Sequence, residues 1–192
     1  MKKLNDYKLT DEITVGQLLM WMSEKSHESK TNIVELISHR FENRYLKHIK
    51  PSDSGFLIMA VSCLVIEALQ SFREGKPDTN GISRKMFQNF FKDHKANFPG
   101  FYDISNEFYY HVRCGILHQS ETTNAWRIVR KGKLLDDLEF SINARLFIQA
   151  LDKSVNEYLD ELSNSDFSSE RWGKALSKLK SICDNCDRTP IS

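Results

Sequence analysis

Proline and glycine are scarce in this chain, at 4 and 8 of 192 residues. So few breakers argue against a turn-dense, sheet-rich fold and for long helices. An excess of one charge is missing as well: 27 Lys+Arg stand against 26 Asp+Glu, a formal charge of +1. That balance excludes a global basic field, so a nucleic acid would have to be met by local patches. The 4 cysteines, Cys63, Cys114, Cys183 and Cys186, make no secreted disulfide framework. Reduced thiols and a cytoplasmic address are expected. Cys183 and Cys186 form a CxxC near the chain end, but without the second pair that zinc needs or a βαβ context for redox chemistry. The start, MKKLNDYKLT, carries charge like a leader, yet Asp6, Lys8, Asp11 and Glu12 fill the place of the apolar segment. Residues 55–66 are the longest uncharged run, too short to cross a bilayer and ended by Glu67. They read as a buried core helix, with no membrane partner. Internal repeats, low-complexity tracts and glycine-rich phosphate loops are all missing.

What is present is helical periodicity. The length suits one domain, or one with an appendage, burying about 70% of its unfolded surface. Apolar residues at helical spacing predict helices over 14–25, 31–47, 55–73, 84–94, 102–118, 141–162 and 170–183. Residues 74–83, reading EGKPDTNGIS, are a loop by composition. Residues 126–129 and 133–135 flank Arg130–Gly132 and read as a small β-hairpin. Phe87, Phe90, Phe91, Phe98 and Phe101 read as core. The expectation is an all-α bundle with one small hairpin. It divides into N-terminal helices packing on the bundle (1–50), a helical core (51–165), and a C-terminal helix and tail (166–192).

The stretch FYYHVRCGILHQ places Arg113 five residues before His118. Arginine holds phosphate bidentately, and histidine moves protons near neutral pH, its ordinary pKa being about 6.5. Together they suffice to cleave RNA without a metal. On an ideal helix the two lie roughly 140° apart, flanking Tyr110 and Leu117, and are poorly placed to touch. Either the helix distorts or ends near residues 115–118, or Arg113 of one copy meets His118 of another across a two-fold dimer. In the dimer, Tyr110 and Leu117 would supply the apolar contact. The bland alternative is a surface arginine and a helix-terminal histidine favoured by the macrodipole. His111, Cys114 and His118 share one face at i, i+3 and i+7, with Glu107 near, but no fourth ligand is evident and no metal is expected.

Arg113-Cys114-Gly115-Ile116-Leu117-His118, closing an apolar helix, resembles the signature of the HEPN superfamily of helical-bundle ribonucleases: Arg, four to six residues, His. The long helix GFLIMAVSCLVIEALQSFREG, with Glu67 deep in it, looks like the helix that packs on the motif helix there. The resemblance covers about residues 55–162 and departs at Cys114, where the family commonly carries Asn, Asp or His. It implies an HEPN-like bundle and a metal-independent endoribonuclease without cofactor, possessing Arg113 and His118 as catalytic pair. Products would be a 2′,3′-cyclic phosphate and a 5′-hydroxyl. It further implies a homodimer with a composite site, a toxin or phage-defence role, and an antitoxin or nucleotidyltransferase-type partner. A non-catalytic dimer binding RNA, a nucleotide or a partner protein is the alternative. Glu67, His111, Cys114 and Gln119 are the expected supporting residues. Trp126 as a stacking platform, with Arg127, Arg130, Lys131 and Lys133, is the expected RNA contact. A second basic face comprises His39, Arg40, Arg44, Lys47, His48 and Lys50.

Overall fold

In the computed structural model, described over residues 4–186, the chain is mostly helical and carries one three-stranded sheet. Helix α1, Val15–Glu24, begins at a capping box. Thr14 Oγ1 accepts from the Gln17 N–H, and Gln17 Oε1 accepts from the Thr14 N–H. Helix α2, His27–Phe41, continues through a π turn, Glu42–Leu46, and a last turn, Lys47–Ile49. Pro51 bars its extension. Helix α3 is Gly55–Glu74 and α4 is Ser83–Asp93. Helix α5, residues 105–119, is composite: Ser105–Glu107, the π segment Phe108–Cys114, then Gly115–Gln119. Helices α6, Ala144–Asn164, and α7, Glu170–Asp184, complete the set. Each lies within a few residues of its expected span.

The chain forms two compact units from discontinuous segments. One takes the described residues of Met1–Ser38, Ser71–Asp78 and Leu159–Ser192; the other takes His39–Gln70 and Thr79–Tyr158. The linear boundaries at 50 and 165 therefore do not delimit compact units. Packing partners decide membership, and Lys50, for example, pairs with Asp152 at 2.8 Å.

In the first unit, Trp172 is fully buried, stacks on Phe167 (4.4 Å between centroids), and donates from Nε1 to the Leu162 carbonyl (2.9 Å). Arg73 and Arg171 both reach Glu161, at 3.0 and 3.2 Å. In the second unit, Met86, Phe87, Phe90 and Phe91 form the inner face of α4 and are buried with Phe98, Phe101, Phe108 and Phe147. Phe108 stacks on Phe147 at 5.6 Å with an interplanar angle of 4°, which seats the start of α5 against α6. The five phenylalanines expected in the core are there.

Two sequence expectations are corrected. First, the apolar segment is not too short to cross a bilayer. Helix α3 runs 20 residues to Glu74 and is, by length and composition, apolar enough to cross a membrane. Of its most apolar window 56% is buried, as in a core helix, although Leu57 and Leu64 stay exposed. Glu67 is tolerated within it because an arginine answers its charge.

Second, the hairpin is not formed. Strands β1 (Arg127–Val129) and β2 (Leu135–Asp136) do not pair with each other; both pair with β3 (Ser141–Asn143) in the order β1-β3-β2. The β1–β3 pairing is parallel and the β2–β3 pairing antiparallel. Residues 141–143, expected within the helix that follows, are extended. Asn143 is its true cap: Oδ1 accepts from the Arg145 and Leu146 N–H groups (3.1 and 3.3 Å). The helix thus starts at Ala144 and leaves three buried residues extended.

Candidate functional site

The motif helix carries its chemistry on a π bulge. Within Phe108–Cys114 the backbone bonds i to i+5, so each turn holds more residues than the 3.6 of an α-helix. Only the start of the path from Arg113 to His118 belongs to that segment; Gly115–Gln119 is α-helical, and the length of the arginine side chain spans the rest. Arg113 Nη1 then lies 3.5 Å from His118 Nε2 within one chain. The approach is made within one chain despite the separation expected on a regular helix, so contact between the two does not require a second copy.

Arg113 is held from several sides. Nη2 donates to Glu67 Oε2 (3.2 Å), and the two side chains are only 17% and 16% exposed. Nη1 is 4.0 Å from Cys114 Sγ, and the guanidinium carbon lies 5.4 Å from the Tyr109 ring centroid. Nε is buried without a hydrogen-bond partner among the described residues. Burial by itself would lower the Arg113 pKa, but the Glu67 carboxylate outweighs it, with Cys114 and Tyr109 assisting, and the value is raised. The charge is thus permanent. Glu67 is fixed in turn by Thr79, whose Oγ1 donates to Oε1 (2.5 Å). One carboxylate oxygen faces the loop and the other faces the arginine.

His118 is exposed, one residue before the helix ends at Gln119. Ser120 enters the left-handed region (φ 59°), as do Asn124 (53°) and Ala125 (62°). Such backbone persists in non-glycine residues only where the surroundings hold it. His111 does the holding: its carbonyl accepts from the Thr123 N–H (2.9 Å), and its Nδ1 lies 2.9 Å from Thr123 Oγ1. Gly115 makes room, because a Cβ there would sit 2.5 Å from the Glu121 carbonyl oxygen. His111 is therefore a loop anchor and not a neighbour of the pair.

Of the expected supporting residues, Glu67 and Cys114 touch Arg113, whereas His111 and Gln119 do not join them. Of His111, Cys114 and His118, the first is engaged by Thr123 and the other two lie against Arg113. Among the described residues no group of three His, Cys, Asp or Glu is placed to hold a metal ion. Cys63, one turn before Glu67 on α3, is buried, and burial pushes its thiol well up. All four cysteines are free.

The expected RNA contacts fare less well. Trp126 is 4% exposed and packs edge-on against Phe140 (5.7 Å), so it offers no open face. Its position after two left-handed residues turns it inward. Arg127 binds Glu139 at 2.8 Å, Arg130 binds Asp53 at 3.4 Å, and Lys133 lies 3.8 Å from Asp136. Lys131 is exposed. The cluster is largely answered by local carboxylates. On the other basic face, Lys50 is likewise taken up by Glu42 and Asp152.

Thr79, Tyr109, Thr123 and Arg84 went unmarked in the sequence. Tyr109 had a readable signal, standing four residues before Arg113, the spacing at which helical neighbours meet. Thr79 had none, since it reaches Glu67 from a loop. Arg84, on α4, donates from Nη1 to the Tyr110 hydroxyl at 3.0 Å.

Fold and site together define a helical protein with a half-buried Arg–Glu pair beside an exposed histidine on a bulged helix. Comparison of the chain with protein-family models, curated proteins and solved structures finds no match.

Proposed function

We propose that the chain is a metal-independent endoribonuclease acting through Arg113 and His118. The observation that carries this reading is the 3.5 Å approach of Arg113 Nη1 to His118 Nε2, with the guanidinium braced by Glu67. A phosphodiester docked against both meets a fixed cation and a proton acceptor side by side. His118 takes the proton of a ribose 2′-hydroxyl. The 2′-oxygen then bonds to the adjacent phosphorus while the bond from phosphorus to the 5′-oxygen breaks, and the leaving oxygen takes a proton from solvent. Arg113 stabilises the charge gathering on the phosphoryl oxygens. The products are a 2′,3′-cyclic phosphate and a 5′-hydroxyl, and DNA is not cleaved.

The resemblance to the HEPN superfamily supports the same assignment and brings its further proposals: a toxin or phage-defence role under an antitoxin, and a homodimer. Leu117, 45% exposed beside His118, is the side chain we assign to self-association. The four free cysteines support a cytoplasmic address. A second reading, RNA binding without cleavage, is favoured by the Cys114 thiol, which touches Arg113 where the family commonly has a polar side chain.

Purified protein is incubated with total RNA in excess chelator, beside Arg113→Ala and His118→Ala. Cleavage by the wild type, lost by about 10²-fold or more in His118→Ala, is expected. RNA that is bound but left intact would overturn the enzyme and favour the second reading. Cleavage abolished by chelator would replace the mechanism by a metal-dependent one.

A further inference from the structure

We propose that Tyr110, steadied by Arg84, is a stacking subsite for one nucleobase of single-stranded RNA next to the phosphate held by Arg113. The proposal rests on the ribonuclease reading for the identity of the polymer and deepens it. Tyr110 is 49% exposed, while Tyr109 beside it is half-buried and Phe108 is buried. Its ring is nevertheless fixed. Arg84 Nη1 donates to the hydroxyl at 3.0 Å, the Arg84 guanidinium carbon lies 5.9 Å from the ring centroid, and Tyr109 meets the ring edge-on at 5.4 Å. Tyr109 also carries the Arg113 guanidinium at 5.4 Å. A continuous line of contacts therefore runs Arg84, Tyr110, Tyr109, Arg113, His118.

Charge selects the occupant. The exposed ring carries the Arg84 guanidinium, and Tyr109 beside it carries that of Arg113, which is held charged. An apolar protein surface laid on Tyr110 would bring the Arg84 cation into the contact with no carboxylate to answer it. A strand of nucleic acid brings a flat ring for the tyrosine and phosphates for the arginines. Stacking uses the face that every base possesses, so base preference at this position is weak. It reads no 2′-hydroxyl, so the subsite also holds single-stranded DNA that the site does not cleave.

That difference supplies the test. Binding of a short 2′-deoxy oligopyrimidine is measured by fluorescence anisotropy, and cleavage of the matching RNA is followed in parallel. Tyr110→Leu is expected to weaken binding and raise KM about tenfold, with kcat falling less, while Tyr110→Phe retains most of the affinity. One abasic position, walked along the oligonucleotide, costs the wild type the same factor at the stacked site and costs Tyr110→Leu nothing further there. Equal affinity of wild type and Tyr110→Leu overturns the subsite. So does a Tyr110→Leu variant whose self-association weakens in sedimentation while its affinity per copy is unchanged, since the ring then serves a second copy. RNA cleaved normally with no Tyr110 dependence removes the subsite and leaves the ribonuclease. Tyr110-dependent binding without cleavage removes the ribonuclease and leaves the subsite. A wild-type protein that binds neither oligonucleotide removes both.

Discussion

Glu67 Oε2 and Arg113 Nη2 meet at 3.2 Å, each side chain less than one-fifth exposed. The pair joins the middle of α3 to the π segment of α5 and sets the direction of the guanidinium. A half-buried charge of this kind is costly to leave unanswered, so both partners act on stability as well as on the site.

Glu67→Gln keeps the shape of the side chain and removes its charge. Stability is expected to fall by about 1.5–3 kcal/mol, the range for a hydrogen bond to a charged group, read as a lower urea midpoint. RNA cleavage is expected to fall at least tenfold because Arg113 loses its brace. A variant with undiminished cleavage would show that Glu67 only balances charge.

Gly115→Ala places a Cβ 2.5 Å from the Glu121 carbonyl oxygen, a backbone atom that cannot swing aside. The loop after His118 must shift. A loss of about 1–3 kcal/mol is expected in thermal unfolding, from forced overpacking. Amide exchange at Thr123, whose N–H is bound to the His111 carbonyl, should accelerate. An unchanged melting temperature would mean the loop yields freely.

Lys50 binds Glu42 and Asp152, each at 2.8 Å. Burial alone would lower its pKa, but Asp152 and then Glu42 outweigh that, so the folded value stands above the ordinary one. A raised folded pKa stabilises in full below the unfolded value, about 10.4, and the contribution is lost as pH rises through the folded value. The stability gap between wild type and Lys50→Met is therefore expected to be constant from pH 7 to 9 and to shrink near pH 11. Chemical denaturation at those three values measures it, and a gap that widens with pH would reverse the assignment.

Asn143 is buried, caps α6, and donates from Nδ2 to the Gly132 carbonyl (2.9 Å). Asn143→Ala should cost about 1–2 kcal/mol in thermal unfolding, whereas Asn143→Ser, which keeps a capping oxygen without a charge, should cost less. Equal losses in the two would assign the effect to the Gly132 bond.

The helices were legible because burial imposes a 3.6-residue period on apolar side chains, and α4 shows it in Met86, Phe87, Phe90 and Phe91. The sheet was not. Parallel pairing of Arg127–Val129 with Ser141–Asn143 joins segments that share no turn signal, and three-residue strands are too short to establish an alternation. Arg113 and His118 stood out by residue type and spacing. Trp126 and the basic residues beside it stood out equally, yet the ring is inward and its neighbours are paired, because exposure and ion pairing belong to the packed chain.

By itself, the sequence determined a mostly helical protein, a phenylalanine core, and a basic and a proton-transferring residue at the end of one apolar helix. Only the tertiary structure decided that the two meet. Packing sets where α5 lies, with Phe108 seated on Phe147 at one end and the exit loop folded over Gly115 at the other. Glu67 and Thr79 arrive from elsewhere in the chain to aim the guanidinium. Spacing along a chain states which residues can share a face of an ideal helix; packing states how far the helix departs from ideal.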